Sequence, residues 1–356
     1  MNGQGPRRSI VGRGAAGNPK NRFERIEVEP DPGEIEGDEP RPETVYLRDH
    51  SRSIIARNDS PDIGFDASIN PYRGCSHGCA YCYARPTHEY LGLSAGLDFE
   101  SKILVKQDAP ELLRKELSSP RWNPLVLSMS GVTDPYQPVE RRLRITRRCL
   151  EVLAEYRNPV VIVTKNHLVT RDMDLLSELA SHDAAAVAFS LTTLKDDLRR
   201  ILEPRTSRPT RRLAAVEKLA AGGIPVGVMT APVIPGLNDH ELPVLLSAAA
   251  EAGATFAGYT PVRLPHAVRP LFEDWLECHF PERKEKVLSR IRSMRGGKLN
   301  DSRFGSRMRG QRLYADHISQ LFDISCSRAG LERERFPRLS TAAFRMNGRA
   351  QPTFFD

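Results

Sequence analysis

INPYRGCSHGCAYCYAR, residues 69–85, places three of the chain's six cysteines, Cys75, Cys79 and Cys82, within eight positions. Three thiols are an odd number for disulfides and one short of a closed zinc site. Gly, His and Tyr around them mark a loop rather than a packed core. A thiolate binds soft metals well, and three thiolates can hold three irons of a [4Fe–4S] cluster. The fourth iron then keeps a place for a non-protein ligand, and an open position marks a reactive metal site. A structural zinc site, with His77 or His88 as fourth ligand, remains open at this point.

The loop follows an apolar run, FDASI, and precedes a long alternation of apolar runs and helical patterns. KILVK (102–106), PLVLSMSG (124–131), NPVVIVTKN (158–166), AAAVAFSLTT (184–193), IPVGVMTAPVIPG (224–236) and ATFAGYTPV (254–262) read as strands. Most are continuous Val/Ile/Ala runs, the mark of strands buried on both faces of a parallel sheet. Between them, APELLRKELS, VERRLRITRRCLEVLAEY, RRLAAVEKLAAGG and HELPVLLSAAAEAG carry helical periodicity. Strand–helix repeats with short connections give a right-handed βα series. About six units fit into residues 65–275, fewer than the eight of a closed barrel, so the expected architecture is an α/β, partial (β/α)6 barrel. Chemistry in such folds gathers at the C-terminal strand ends. Those ends carry the cysteine loop, Ser130–Asp134, Thr164–Asn166, Ser190–Thr193, Thr230–Pro235 and Tyr259–Arg263.

Around this barrel, assigned to residues 44–275, two further regions stand out. Residues 1–43 are rich in Gly, Pro, Arg and Glu without apolar periodicity, and read as a disordered tail. Residues 276–356 read as a basic, helical C-terminal extension. From Arg290 to Asp356 there are 14 Lys/Arg against 6 Asp/Glu, while the whole chain carries +7. A basic end on a near-neutral body suits a polyanionic partner, nucleic acid first; a solubilising tail is the plain alternative. Arg141, Arg144 and Arg148 share a helical face, and Phe304 stands among Arg303, Arg307, Arg309 and Arg312. No run of about 18 apolar residues spans a membrane, and the N-terminus lacks a secretory signal's apolar core. The expectation is a cytoplasmic protein with reduced thiols. Cys149 and Cys278 fall on apolar helical stripes and read as core; Cys326 has no assigned place.

At Cys75-Ser-His-Gly-Cys79-Ala-Tyr81-Cys82 the chain resembles the radical S-adenosylmethionine (SAM) superfamily, whose signature is CxxxCxφC with φ aromatic. More of it is similar to the spore photoproduct lyase-like branch, the so-called DNA repair photolyases. SGVTDPYQPVE, VTKN, SLTT, LEPRTSRPTRRLAAVEKLAAGGIPV and PVIPGLND carry that likeness over roughly residues 65–240. The resemblance implies a [4Fe–4S] cluster held by Cys75, Cys79 and Cys82, and SAM bound at its open iron. It implies reductive cleavage of SAM to a 5′-deoxyadenosyl radical. Tyr81 would lie against adenine or ribose, Thr133 against the methionine part, Lys165 on the carboxylate and Ser190 on ribose or carboxylate. It also implies an electron donor such as flavodoxin or ferredoxin, and a lyase or repair-like reaction on DNA or RNA. Two departures stand against a simple transfer of function. SGVTDP replaces the superfamily's Gly-Gly-Glu motif, leaving Gly131 and Asp134 as substitutes. Residues 128–134 also contain no thiol, although the lyase uses a cysteine near this point as hydrogen-atom donor. Tyr81, Tyr83 and Tyr136 are the alternative donors, and nothing in the sequence selects one. A zinc-binding nucleic-acid protein without radical chemistry, and a radical SAM enzyme acting on a protein or small molecule, are the other readings.

Overall fold

The computed structural model describes residues 9–24, 43–333 and 336–346. Eight strands form the main sheet: β1 Ile55–Arg57, β2 Ala67–Ile69, β3 Leu127–Met129, β4 Val160–Thr164, β5 Ala185–Ser190, β6 Val226–Val233, β7 Phe256–Pro261 and β8 Glu332–Arg333. They pair in sequence order from β1 to β8. Only the β1–β2 pair is antiparallel; all later pairs are parallel. The six units expected from the sequence are β2 to β7. KILVK is the exception. Its strand, Lys102–Val105, sits in a separate three-stranded sheet between Val45–Arg48 and Tyr72–Arg73.

The strand composition explains the layering. Every residue of β5 is buried, as are all three in β2 and in β3. Runs of this kind need cover on both faces. Gly227 in β6 is required by its neighbour: a Cβ there would come within 2.4 Å of the Phe256 ring on β7.

Among the described residues the longer α-helices are α1 Ala109–Leu117, α2 Ile145–Tyr156, α3 Met173–Ala180, α4 Asp196–Leu202, α5 Pro209–Ala221, α6 Leu242–Glu251, α7 Val268–His279, α8 Pro281–Met294 and α9 Arg312–Ala329. The stretch VERRLRITRRCLEVLAEY is not one helix. Arg144 takes a left-handed conformation (φ 53°) that separates Glu140–Leu143 from α2. Buried Glu140 then caps the new helix, accepting the Thr146 backbone N–H at 3.0 Å. The shared face of Arg141, Arg144 and Arg148 is broken there. Cys149 and Cys326 are fully buried on α2 and α9, and Cys278 is half-buried on α7.

Two of the expected boundaries change. The limit at 275/276 falls inside α7, so the C-terminal part is continuous with the barrel. α9 packs on α6, Phe322 lies 4.6 Å from the Tyr259 ring, and β8 extends the sheet. Residues 9–24, assigned to a disordered tail, are instead ordered: they hydrogen-bond Glu89 and Glu100, and Gly14 lies close against Gly78 of the cysteine loop. Apolar periodicity could not reveal this, because the contacts are polar. Residues 25–42 of that tail lie outside the described residues. Among the described residues no helix is long and apolar enough to cross a membrane.

Candidate active site

The cysteine loop leaves the end of β2 and turns back across the strand ends. Cys75 and Cys79 are buried and Cys82 is half-buried; all three are free thiols. Backbone bonds fix the loop: Cys75 N–H donates to Phe99 O (2.9 Å) and Ala80 N–H to Leu202 O (3.0 Å). Burial pushes the Cys79 thiol well up and Cys82 to about 11. Burial thus favours the neutral thiol at Cys79 and Cys82, and a ligand that converts these two to thiolates must bring positive charge.

Neither histidine offers an obvious fourth zinc ligand. His88 donates from Nε2 to Lys102 O at 2.9 Å, and burial lowers its pKa. His77 is fully buried with Nδ1 3.3 Å from Asp134 Oδ2, out of line for a hydrogen bond. Burial opposes its protonation, yet Asp134 and Cys75 raise its pKa to about 9. Among the described residues no three Cys, His, Asp or Glu side chains converge on a single metal ion. Three soft thiols on one loop suit three irons of a cluster.

Three of the four expected SAM contacts meet beside this loop. Lys165, following β4, hydrogen-bonds Ser190 at the end of β5, and its Nζ lies 5.7 Å from the centre of the Tyr81 ring. Thr133 does not join them. Its hydroxyl donates to Gly74 O (2.8 Å) and accepts from Gln137 (3.2 Å), bracing the start of the cysteine loop. Asp134 is likewise committed: it accepts from Thr164 Oγ1 (2.7 Å), Lys165 N (2.7 Å) and Tyr136 N (2.9 Å). As a substitute for the Gly-Gly-Glu motif it is therefore badly placed. Gly131 gives its carbonyl to the Tyr83 hydroxyl (2.7 Å).

The sequence reading missed the group that organises this corner. Glu203, just after α4, is fully buried and accepts from Tyr81, Thr192 (2.6 Å) and Arg212 (2.6 Å), with Lys165 Nζ 3.4 Å away. Burial alone would raise its pKa, but Arg212 and Lys165 hold it far below the ordinary carboxylate range. Arg212 on α5 also donates to Ser190 O at 2.7 Å. Two cations against one carboxylate leave one positive charge in a desolvated pocket lined with hydroxyls. That surplus matches one ligand carboxylate, and the hydroxyls suit a diol. A signal was present: Glu203 and Arg212 sit within LEPRTSRPTRRL, a polar stretch that runs from the end of α4 into the first turn of α5.

The mouth over this site is bounded by the basic segment 301–312. Arg295, almost fully buried, donates to Val262 O (3.0 Å) at the end of β7 and to Arg307 O (2.7 Å). Arg307 in turn pairs with Asp62 at 2.6 Å, beyond β1 on the opposite edge of the sheet. Arg263 lies over the Tyr83 ring and reaches Met308 Sδ at 3.2 Å. Tyr83, directly after Cys82, is half exposed here, as is Phe304. Of the three candidate hydrogen-atom donors, Tyr81 and Tyr136 are buried against Glu203 and Asp172, and Tyr83 alone faces the mouth. Asn238 ties the loop after β6 together, donating to Thr192 O (2.8 Å) and Pro232 O (3.0 Å).

Comparison with known proteins identifies the family and the fold. Residues 69–249 match the model of the Radical SAM superfamily. An uncharacterized protein of Mycobacterium tuberculosis is 38% identical over 234 residues, 65% of this chain and 68% of its own length. The radical SAM Nalpha-GlyT isomerase of Pseudomonas phage M6 is 27% identical over 173 residues, 48% of this chain and 34% of that protein. Among solved structures, spore photoproduct lyase complexed with dinucleoside spore photoproduct superimposes with a TM-score of 0.60 at 16% identity. That match covers 82% of each chain.

Proposed function

Because the chain belongs to the radical SAM superfamily, we propose that this enzyme directs its chemistry at a nucleic acid, in a lyase- or repair-like reaction. The enzyme uses a [4Fe–4S] cluster and SAM and needs an electron donor, which we take to be a flavodoxin or ferredoxin. When bound, the two cofactors supply one-electron cleavage of a carbon–sulfur bond and abstraction of a hydrogen atom from substrate.

The residues divide that work. Cys75, Cys79 and Cys82 are assigned as the iron ligands. Lys165 takes the SAM carboxylate, released from its partial pairing with Glu203. Ser190 holds the carboxylate or ribose, and Tyr81 presents its ring to the adenosine. Glu203 and Arg212 hold Lys165, Tyr81 and Ser190 in place before SAM arrives, so little reorganisation is needed on binding. Thr133 acts one step back, by fixing Gly74.

The substrate reading is carried by one observation: the basic segment 301–312 lies over the strand ends beside Tyr83, with the Phe304 ring exposed. Arginines track phosphates and an exposed aromatic ring stacks a base. The dinucleoside bound to one similar structure, a spore photoproduct lyase, points the same way. The test is anaerobic turnover with labelled SAM, with and without single- and double-stranded DNA and RNA. Substrate-dependent 5′-deoxyadenosine and label transfer to nucleic acid are expected. Turnover indifferent to every nucleic acid moves the substrate to a protein or small molecule.

A further inference from the structure

We infer that residues 10–24, the N-terminal arm, form a wall of the cluster site, and that Glu100 is the positioning residue clamping this arm to the Cys79 turn. The arm crosses the outer side of the cysteine loop at van der Waals distance. A Cβ on Gly14 would come within 1.8 Å of Gly78 O and 2.9 Å of Ala80 N, so only glycine fits.

Glu100 is fully buried beneath this crossing. Its carboxylate accepts the backbone N–H groups of Gly14 (3.1 Å) and Ala15 (2.9 Å). The same carboxylate pairs with Arg85, also fully buried. Arg85 Nε and Nη2 in turn donate to the Cys79 carbonyl at 3.1 and 2.8 Å. One acid thus joins the arm, the guanidinium and the backbone of a cluster ligand.

Further anchors lie along the arm. Arg13 donates to Glu100 O at 2.8 Å, and Arg205 donates to Gly12 O at 3.1 Å. Asn21 donates to Glu89 O (3.0 Å) and Leu93 O (2.9 Å). Arg22 pairs at 2.8 Å with Glu89, whose side chain is buried. Two buried carboxylates of the body therefore take partners from the arm, and a buried carboxylate stripped of its partners is strongly unfavourable. The arm holds few large apolar residues, so this polar demand, not apolar burial, is what seats it. A cluster is kept intact by a dry, fixed surround and by the bonds that orient its ligands. The arm supplies both along the Gly78–Ala80 turn.

The test uses the full-length chain carrying Gly14→Ala, far in sequence from the cysteines. Gly64→Ala is the control, since a Cβ there meets nothing within 4 Å. Three quantities are followed: iron and sulfide per chain after anaerobic reconstitution, bleaching of cluster absorbance in air, and alkylation of Cys79 in metal-free protein. Gly14→Ala is expected to accelerate bleaching and alkylation by at least about tenfold, while circular dichroism and Gly64→Ala stay as wild type. Glu100→Ala should behave like Gly14→Ala, and Glu100→Gln, which keeps an acceptor oxygen, should recover part of the protection. Wild-type rates in Gly14→Ala overturn the inference. Should Gly14→Ala not fold, Arg22→Ala at the exposed end of the arm decides: faster bleaching and alkylation support the wall, and wild-type rates overturn it. The alkylation rate needs no metal, so it tests the arm separately from the assignment of the cluster.

Discussion

The cysteine loop and the basic segment 301–312 meet at the barrel mouth and differ in how fully their support is buried. The loop is gripped by buried groups: Arg85, Glu100 and Gln137 are all fully desolvated, and most of its bonds end on backbone. The basic segment hangs on Arg295 and on the pairs Arg307–Asp62 and Arg303–Asp301, the last of them at the surface. Buried, fully paired charges fix one geometry, whereas surface pairs add about 0–1 kcal/mol and weaken with salt. A cofactor site needs the first kind of support. A surface that admits a polymer needs the second.

The largest effect that sharpens this contrast is loss of the cluster. Cys75→Ala, Cys79→Ala and Cys82→Ala should each reduce iron and sulfide in the reconstituted protein to near background, with the fold retained by circular dichroism. Wild-type iron in any of them breaks the assignment of that ligand.

Next comes the buried pair. Glu203→Gln leaves Arg212 desolvated without its anion and should cost about 3–5 kcal/mol, read as a lower denaturant midpoint. The pH dependence has a fixed sign. Glu203 titrates lower in the folded chain than unfolded, so its contribution is present above the ordinary carboxylate pKa. It is lost as pH falls from there toward the depressed native value. Acid unfolding of wild type should steepen in that window, and the Gln variant should show less of it.

Lys165→Met is expected to weaken SAM by about 1.5–3 kcal/mol, the worth of a charged hydrogen bond, or about 10- to 150-fold in Kd. Anaerobic calorimetry on reconstituted protein gives the number, and an unchanged Kd removes Lys165 from the site. The smallest effect belongs to the basic segment. Exposed Arg312 is the probe: Arg312→Ala should leave cluster and SAM binding alone, and lower the slope of log affinity for DNA or RNA against log salt by about one. An unchanged slope takes Arg312 off the phosphate path.

Much of the barrel was legible because its strands are continuous apolar runs, and such runs declare burial on both faces. KILVK misled for the same reason: a short apolar run does not say which sheet it joins. The arm was illegible because it depends on a distant polar partner, Glu100, that no local periodicity encodes; the break at Arg144 was missed because its cap, Glu140, is close in sequence but reads as one more charged helix residue. At the site, the Cys75–Cys82 spacing suggested a set of cluster ligands, and the family resemblance pointed to Lys165 and Ser190, whose side chains meet beside the loop. Glu203 escaped because a buried acid between helices looks like any surface residue until its cations are placed around it.

The central claim is that Cys75, Cys79 and Cys82 hold a cluster with one iron open to SAM. Electron paramagnetic resonance of the reduced, reconstituted protein tests it most directly, recorded before and after SAM is added. The account predicts a [4Fe–4S]⁺ signal that SAM shifts in wild type and fails to shift at the same concentration in Lys165→Met. A reduced-cluster signal that SAM leaves unchanged in wild type, or its absence beside a stoichiometric zinc, contradicts it.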